Sequence, residues 1–278
     1  MLYSKNYIIF ALLFSNMLEF LKESTFKAND VIFRALDILK KHYFSIAGLC
    51  FILFVISQLA AYFPVYFLES NMIAKVVLML LTIVLFFGLQ LVLIKRAILL
   101  SQGVEHSSLM HYIPSTKQFV NFLFGLVLCS LLTGIVTLVS GIICFPLIYL
   151  GLETDFVIFE IVPVLTGIIV TVLLLRITFF PFFILEKNVN FFRAVKLSVA
   201  FTKGNFFKIV TLFFFLALTS IISFVLLNLS YNMTALFFMA ISIFLIVPLV
   251  SLAMAVAYTD MVEEYKGGDD PELFKNII

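Results

Sequence analysis

Fifty-one consecutive residues, Ile209–Thr259, contain no Asp, Glu, Lys, Arg or His. Three more uncharged runs precede them: Tyr43–Leu68 with 26 residues, Val76–Ile94 with 19 and Gln118–Leu152 with 35. A membrane-crossing helix needs about 20 apolar residues. A water-soluble fold could not cover its surface with such runs. Hydrophobic residues make up 63% of the chain and charged ones 12%, against roughly 45–50% and about 25% in soluble domains. The longest run holds two spans, divided at the polar break Asn228-Leu229-Ser230-Tyr231-Asn232. One further span, near 157–179, carries Glu160 and Arg176. Its sixteen Ile, Leu, Val and Phe residues, each contributing about −0.4 kcal/mol, outweigh one Arg at about +3.

These runs predict an all-α integral membrane protein. About six transmembrane helices, near 44–66, 74–95, 121–145, 157–180, 208–228 and 234–257, form three hairpins, each preceded by a cytoplasmic interfacial segment. Residues 1–42 form N-terminal cytoplasmic or interfacial helices, 43–260 the membrane domain and 261–278 an acidic cytoplasmic tail. Seventeen of the eighteen Lys and Arg residues fall in alternate connections and the two ends; the other side has Lys75. Cytoplasmic loops hold the excess of Lys and Arg, so both termini are expected in the cytoplasm. Residues 7–21 read as an interfacial helix; a seventh span there would put the N-terminus outside.

The sequence suggests one unit used three times. Asn29…Phe33-Arg34-Ala35 and Asn188…Phe192-Arg193-Ala194 match at an offset of 159 residues. In the first copy Arg34, Asp37 and Lys41 share one helical face, with Ile32, Leu36, Leu39 and Tyr43 opposite. In the third, Arg193, Lys196 and Lys203 form a similar stripe, with Phe192, Val195 and Val199 opposite. The middle copy is interrupted by Pro114. Such amphipathic helices lie in the interface, apolar side in lipid and basic side toward anionic headgroups. Arg34, Lys41, Arg193, Lys196 and Lys203 are therefore the headgroup-binding candidates.

Membrane helices associate through small residues that let backbones approach. On the third span Ser130, Thr133, Gly134, Thr137, Ser140 and Gly141 recur at spacings of three and four, which predicts a packing seam. Ser251 with Ala255, and Ala253 with Ala257, predict another on the sixth span. Tyr43, Tyr62, Tyr66, Tyr112, Tyr149, Tyr231 and Tyr258 lie near expected span ends, as an interfacial belt would. Cys50, Cys129 and Cys144 sit inside apolar runs, without the pairing of a zinc site or disulfide framework.

The stretch Leu174–Lys208 carries a resemblance. A span ends at Arg176 and Pro181, Glu186 follows, and a helix ending in Ser198…Thr202-Lys203-Gly204-Asn205-Phe206 leads into the next span. This resembles polytopic bacterial inner-membrane proteins related to the membrane domain of glycerophosphoryl diester phosphodiesterases. Val139-Ser140-Gly141 stands where those proteins have a proline-glycine kink after the third span. The resemblance implies a bacterial inner-membrane protein of unassigned role. It does not carry phosphodiesterase activity, whose barrel needs about 250 residues.

No catalytic constellation is recognisable. His42, His106 and His111 lie in connecting segments, and no metal-binding, phosphate-binding or nucleophile motif occurs. No cofactor or nucleic-acid partner is expected. Ionisable and amide side chains inside spans are the default functional candidates: Arg176, Gln90, Glu160 and Gln58. Gln90 and Arg176 fall at similar distances from the basic side, which permits a hydrogen bond between spans two and four, while Arg176 can instead snorkel to phosphate. The expected partners are the bilayer and its anionic headgroups, then other membrane proteins or a second copy of the chain. The favoured role is non-enzymatic organisation of the membrane or of a complex. The alternative is a transporter or permease for a lipid-like or small apolar substrate, for which Pro163 and Pro248 supply kinks. An intramembrane enzyme would need paired polar groups at one depth.

Overall fold

The computed structural model describes residues 28–66, 72–104 and 109–266. The helix expected within 7–21 and the acidic tail from 267 lie outside the described residues. Every regular element among the described residues is helical, and six helical stretches are long and apolar enough to cross a membrane. The chain is therefore an all-α, multi-pass membrane protein. Its main helices are α1 (Ala28–Tyr66), α2 (Met72–Ser101), α3 (Thr116–Cys144), α4 (Val162–Arg176), α5 (Phe180–Lys187), α6 (Phe191–Asn228), α7 (Asn232–Ile241) and α8 (Val247–Lys266).

These helices form two compact units. The first comprises α1, α2, α7, α8 and the part of α6 from Lys203 onward. Its core is the three-way packing of α1, α2 and α8. Eight consecutive residues of α8, 252–259, are buried, because small Ala253, Ala255 and Ala257 let neighbouring helices approach from several sides. The seam expected on the sixth span is thus present. Tyr258 is fully buried there, and Tyr112 is buried too. Both leave the expected aromatic belt; Tyr149 and Tyr231 remain exposed.

The amphipathic segments are not separate helices. The first is continuous with α1, which bends at His42 (φ −120°, ψ 23°); the third is the opening of α6. Their buried lines run beside the apolar faces expected to meet lipid. In α1 the core side is Val31, Ala35 and Leu39, while Phe33 is exposed. In α6 it is Phe191, Ala194, Leu197, Ser198 and Phe201, while Phe192 and Val199 are exposed. Ala35 and Ala194, equivalent at the 159-residue offset, are both completely buried. The small residue of each copy permits close packing, and the adjacent Phe turns outward.

The second unit, residues 116–202, holds α3, α4, α5 and the start of α6. Phe180 and Phe191 pack as an edge-to-face pair 5.5 Å apart, and Phe122 stacks on Phe180 at 5.7 Å. Gly125 lies against this cluster: a Cβ there would stand 2.5 Å from Phe191 Cδ2 and 3.0 Å from Phe180 Cε2. Small size matters at Gly125, not at Gly134 or Gly141, where a Cβ would meet nothing within 4 Å. Ser130 and Thr137 are exposed and bond back to Leu126 O and Thr133 O. Of the expected stripe, Ser130, Gly134, Thr137 and Gly141 do not pack within their unit, whereas Ser140 is buried. The sequence pattern located a small face, but bulky rings chose another.

One backbone device occurs in both units. A π-helical turn at Val157–Ile161 precedes Val162-Pro163, and another at Ser242–Ile246 precedes Val247-Pro248. In each, the Val N–H reaches five residues back, to Val157 O and Ser242 O respectively. Proline lacks an N–H and collides with the carbonyl four residues before it. Widening the preceding turn relieves that collision without breaking the helix.

Candidate functional site: the basic ends of the two units

At the basic end of the first unit, one turn of α8 reaches three helices. Thr259 Oγ1 lies 2.7 Å from Ser101 Oγ on α2. Asp260 pairs with Arg34 on α1. Asn205 Nδ2 on α6 donates to Met261 Sδ at 3.6 Å. Successive helical residues point about 100° apart, so Thr259, Asp260 and Met261 address three neighbours in turn. Nearby basic residues also hold structure: Lys95 Nζ donates to Ile113 O at 3.0 Å, and Arg96 lies 4.8 Å from the Tyr112 ring centroid. These contacts tie α2 to the 3-10 turn Leu109–Tyr112 and the residue after it.

At the basic end of the second unit the fourth span breaks. The helix α4 stops at Arg176, and α5 starts at Phe180 with Pro181 in its first turn. The fourth span, expected to run to about residue 180, thus stops at Arg176, and Pro181 opens a new helix rather than extending the old one. Helix ends leave carbonyls without intrahelical partners, and two hydroxyls of α6 meet this need. Ser198 Oγ and Thr202 Oγ1, one turn apart, each donate to Arg176 O at 3.0 Å. Ser198 Oγ also accepts from Phe179 N–H at 3.0 Å. At the other end of α5, Gln118 Nε2 donates to Leu185 O at 2.8 Å. The Ser…Thr spacing that carried the resemblance is therefore a clamp on a helix break. Its signal in the sequence was the i, i+4 hydroxyl pair, but nothing there named the partner carbonyl.

The individual candidates divide by environment. Arg34 pairs with Asp260 and keeps about half its side chain exposed. Lys41, Arg193, Lys196 and Lys203 are exposed. Arg176 is half-buried, its carbonyl fixed by the clamp. Gln90 and Gln58 are half-buried on α2 and α1. Glu160 is exposed within the first π turn. Sequence reasoning missed Asp260, Gln118 and Gly125, whose partners are far away along the chain. Among the described residues no cluster of three or more His, Cys, Asp or Glu side chains could hold a metal ion.

No protein-family model, curated protein or solved structure matches this chain.

Proposed function

We propose that this multi-pass membrane protein resides in the bacterial inner membrane with both termini cytoplasmic. There its basic helix ends gather anionic lipid headgroups and so organise the surrounding membrane, or a partner protein or second copy, without catalysing a reaction. The observation that carries this reading is the split on the opening turns of α6. Ala194, Leu197 and Ser198 are buried, Ser198 in holding the chain break, while Arg193, Lys196 and Lys203 stay exposed. Polar groups inside the unit brace helices; cations outside it remain open to phosphate. Each exposed basic residue near an anionic leaflet contributes about 1 kcal/mol.

Reconstitution into vesicles of mixed phosphatidylglycerol and phosphatidylcholine tests this directly. Energy transfer from the protein to labelled lipids reads local enrichment. Replacing Arg193, Lys196 and Lys203 with Gln should lower enrichment of the anionic lipid stepwise, about fivefold per charge at low salt. High salt should erase the effect, because exposed charges are screened. A reporter after Ile278 should read cytoplasmic and one within 228–232 exterior. Enrichment insensitive to all three substitutions, or residues 193–196 mapping outside, overturns the reading.

The paired π turns favour a second reading. Transporters build sites from interrupted helices, and Pro163 and Pro248 follow such interruptions in both units. Saturable flux of a lipid-like solute in the same vesicles, lost on replacing either proline, would establish it over the organising role.

A further inference from the structure

At the basic end of the first unit, Arg34 has its carboxylate in Asp260. Two other cations there have none. Lys95 and Arg96 are consecutive on α2 and half-buried, and neither forms an ion pair among the described residues. Successive helical side chains diverge by about 100°, yet these two reach adjacent residues of one connection. Arg96 Cζ lies over the Tyr112 ring, 4.8 Å from its centroid, and Lys95 Nζ donates to Ile113 O at 3.0 Å. Two like charges are thereby drawn to one place, which is unfavourable unless an anion joins them.

Neither contact uses up its cation. The ring holds Arg96 by attraction to its face. The Arg96 Nε is enclosed and has no hydrogen-bond partner. Among the described residues no hydrogen bond engages the terminal guanidinium nitrogens either. An ammonium carries three N–H donors, and Ile113 O takes one from Lys95. Tyr112 is 2% exposed, so the ring beneath Arg96 is a fixed support. A steadied guanidinium therefore stands beside an ammonium with donors to spare.

The geometry of the donors selects the anion. A carboxylate has two oxygens, and the guanidinium fork alone would occupy both. A phosphate gives the fork two oxygens and keeps another for the ammonium. We infer that Lys95 and Arg96 bind one phosphate group beside the 3-10 turn Leu109–Tyr112, with Arg96 in forked contact and Lys95 as the second cation. A lipid headgroup and a free phosphate ion both supply that chemistry. Only the lipid source rests on the headgroup reading above. The site is discrete, unlike the diffuse attraction of Arg193, Lys196 and Lys203.

Two titrations of the purified full chain test this: phosphatidylglycerol followed by native mass spectrometry, and inorganic phosphate followed by calorimetry. Wild type should take up one equivalent of at least one of them. Retained phosphatidylglycerol that inorganic phosphate does not displace assigns the site to a headgroup. Bound inorganic phosphate that excludes the lipid assigns it to the free ion. In either case Arg96→Gln should weaken uptake about tenfold, as loss of a charged hydrogen-bonded pair does. Arg96→Lys should recover only part of that loss, because an ammonium lacks the fork. Lys95→Gln should weaken uptake by a smaller factor. Arg193→Gln with Lys196→Gln should leave the site filled while diffuse enrichment falls, so the two readings fail separately. Uptake of neither probe by wild type, or undiminished uptake in folded Arg96→Gln, overturns the inference. So does wild-type uptake in Arg96→Lys, which decides the matter alone should Arg96→Gln not fold.

Discussion

Arg34 and Asp260 are 226 positions apart in the chain, yet their side chains pair at the basic end of the first unit. The contact joins the start of α1 to the last turns of α8. It is made with Val31, Ala35 and Leu39 of α1 facing the core. The pair is asymmetric: about half of the Arg34 side chain is exposed, whereas Asp260 is mostly covered.

That asymmetry predicts unequal substitutions. Arg34→Gln leaves Asp260 partly covered without its cation, and should lower stability by about 1 kcal/mol, the upper part of the range for accessible pairs. The double variant Arg34→Gln with Asp260→Asn should cost less than the sum of the singles, since neither leaves a lone charge. Thermal unfolding in detergent or nanodiscs, followed by helical circular dichroism, reads both. Additive losses would show that the two side chains are not energetically coupled.

The clamp at the α4–α5 break should rank its two hydroxyls. Ser198 serves both Arg176 O and Phe179 N–H, whereas Thr202 supplies a second donor to Arg176 O. Ser198→Ala therefore orphans a buried N–H and should cost about 2 kcal/mol; Thr202→Val should cost about 1. Hydrogen exchange at the Phe179 amide should accelerate in Ser198→Ala and change little in Thr202→Val.

Gln118 makes a charge test possible. Its amide donates to Leu185 O near the end of α5. Gln118→Leu removes the donor and should cost about 1–2 kcal/mol. Gln118→Glu should be worse, since an anion then faces carbonyl oxygens at a helix C-terminus. Melting midpoints at neutral pH should order wild type, Leu, then Glu. Lowering the pH should recover part of the Glu variant's loss, because the protonated carboxyl is uncharged and can donate.

Glycine substitutions separate a real seam from an apparent one. Gly125→Ala forces a methyl against the rings of Phe191 and Phe180 and should lower stability by about 1–3 kcal/mol, as overpacking does. Gly134→Ala meets nothing within 4 Å and should be neutral or stabilising by up to about 1 kcal/mol through helix propensity. Equal effects at both positions would contradict the packing described.

By itself the sequence determined the class, the number of crossings and the placement of charge. Lipid provides no hydrogen bonds to a bare backbone, so runs such as Ile209–Thr259 must become helices. The alanine seam of α8 was legible for a related reason, because small residues crowded along one helix have few uses besides close approach. Tertiary structure alone decided which side of each helix turns inward. In a bilayer both sides of a helix are apolar, so hydropathy does not separate core from lipid. Phe33 and Phe192 are exposed, while their neighbours Ala35 and Ala194 are buried. The same ambiguity hid Gly125 behind the more regular stripe of Gly134 and Gly141. It also left Asp260, Ser198 and Gln118 without partners until the fold brought distant carbonyls and charges beside them.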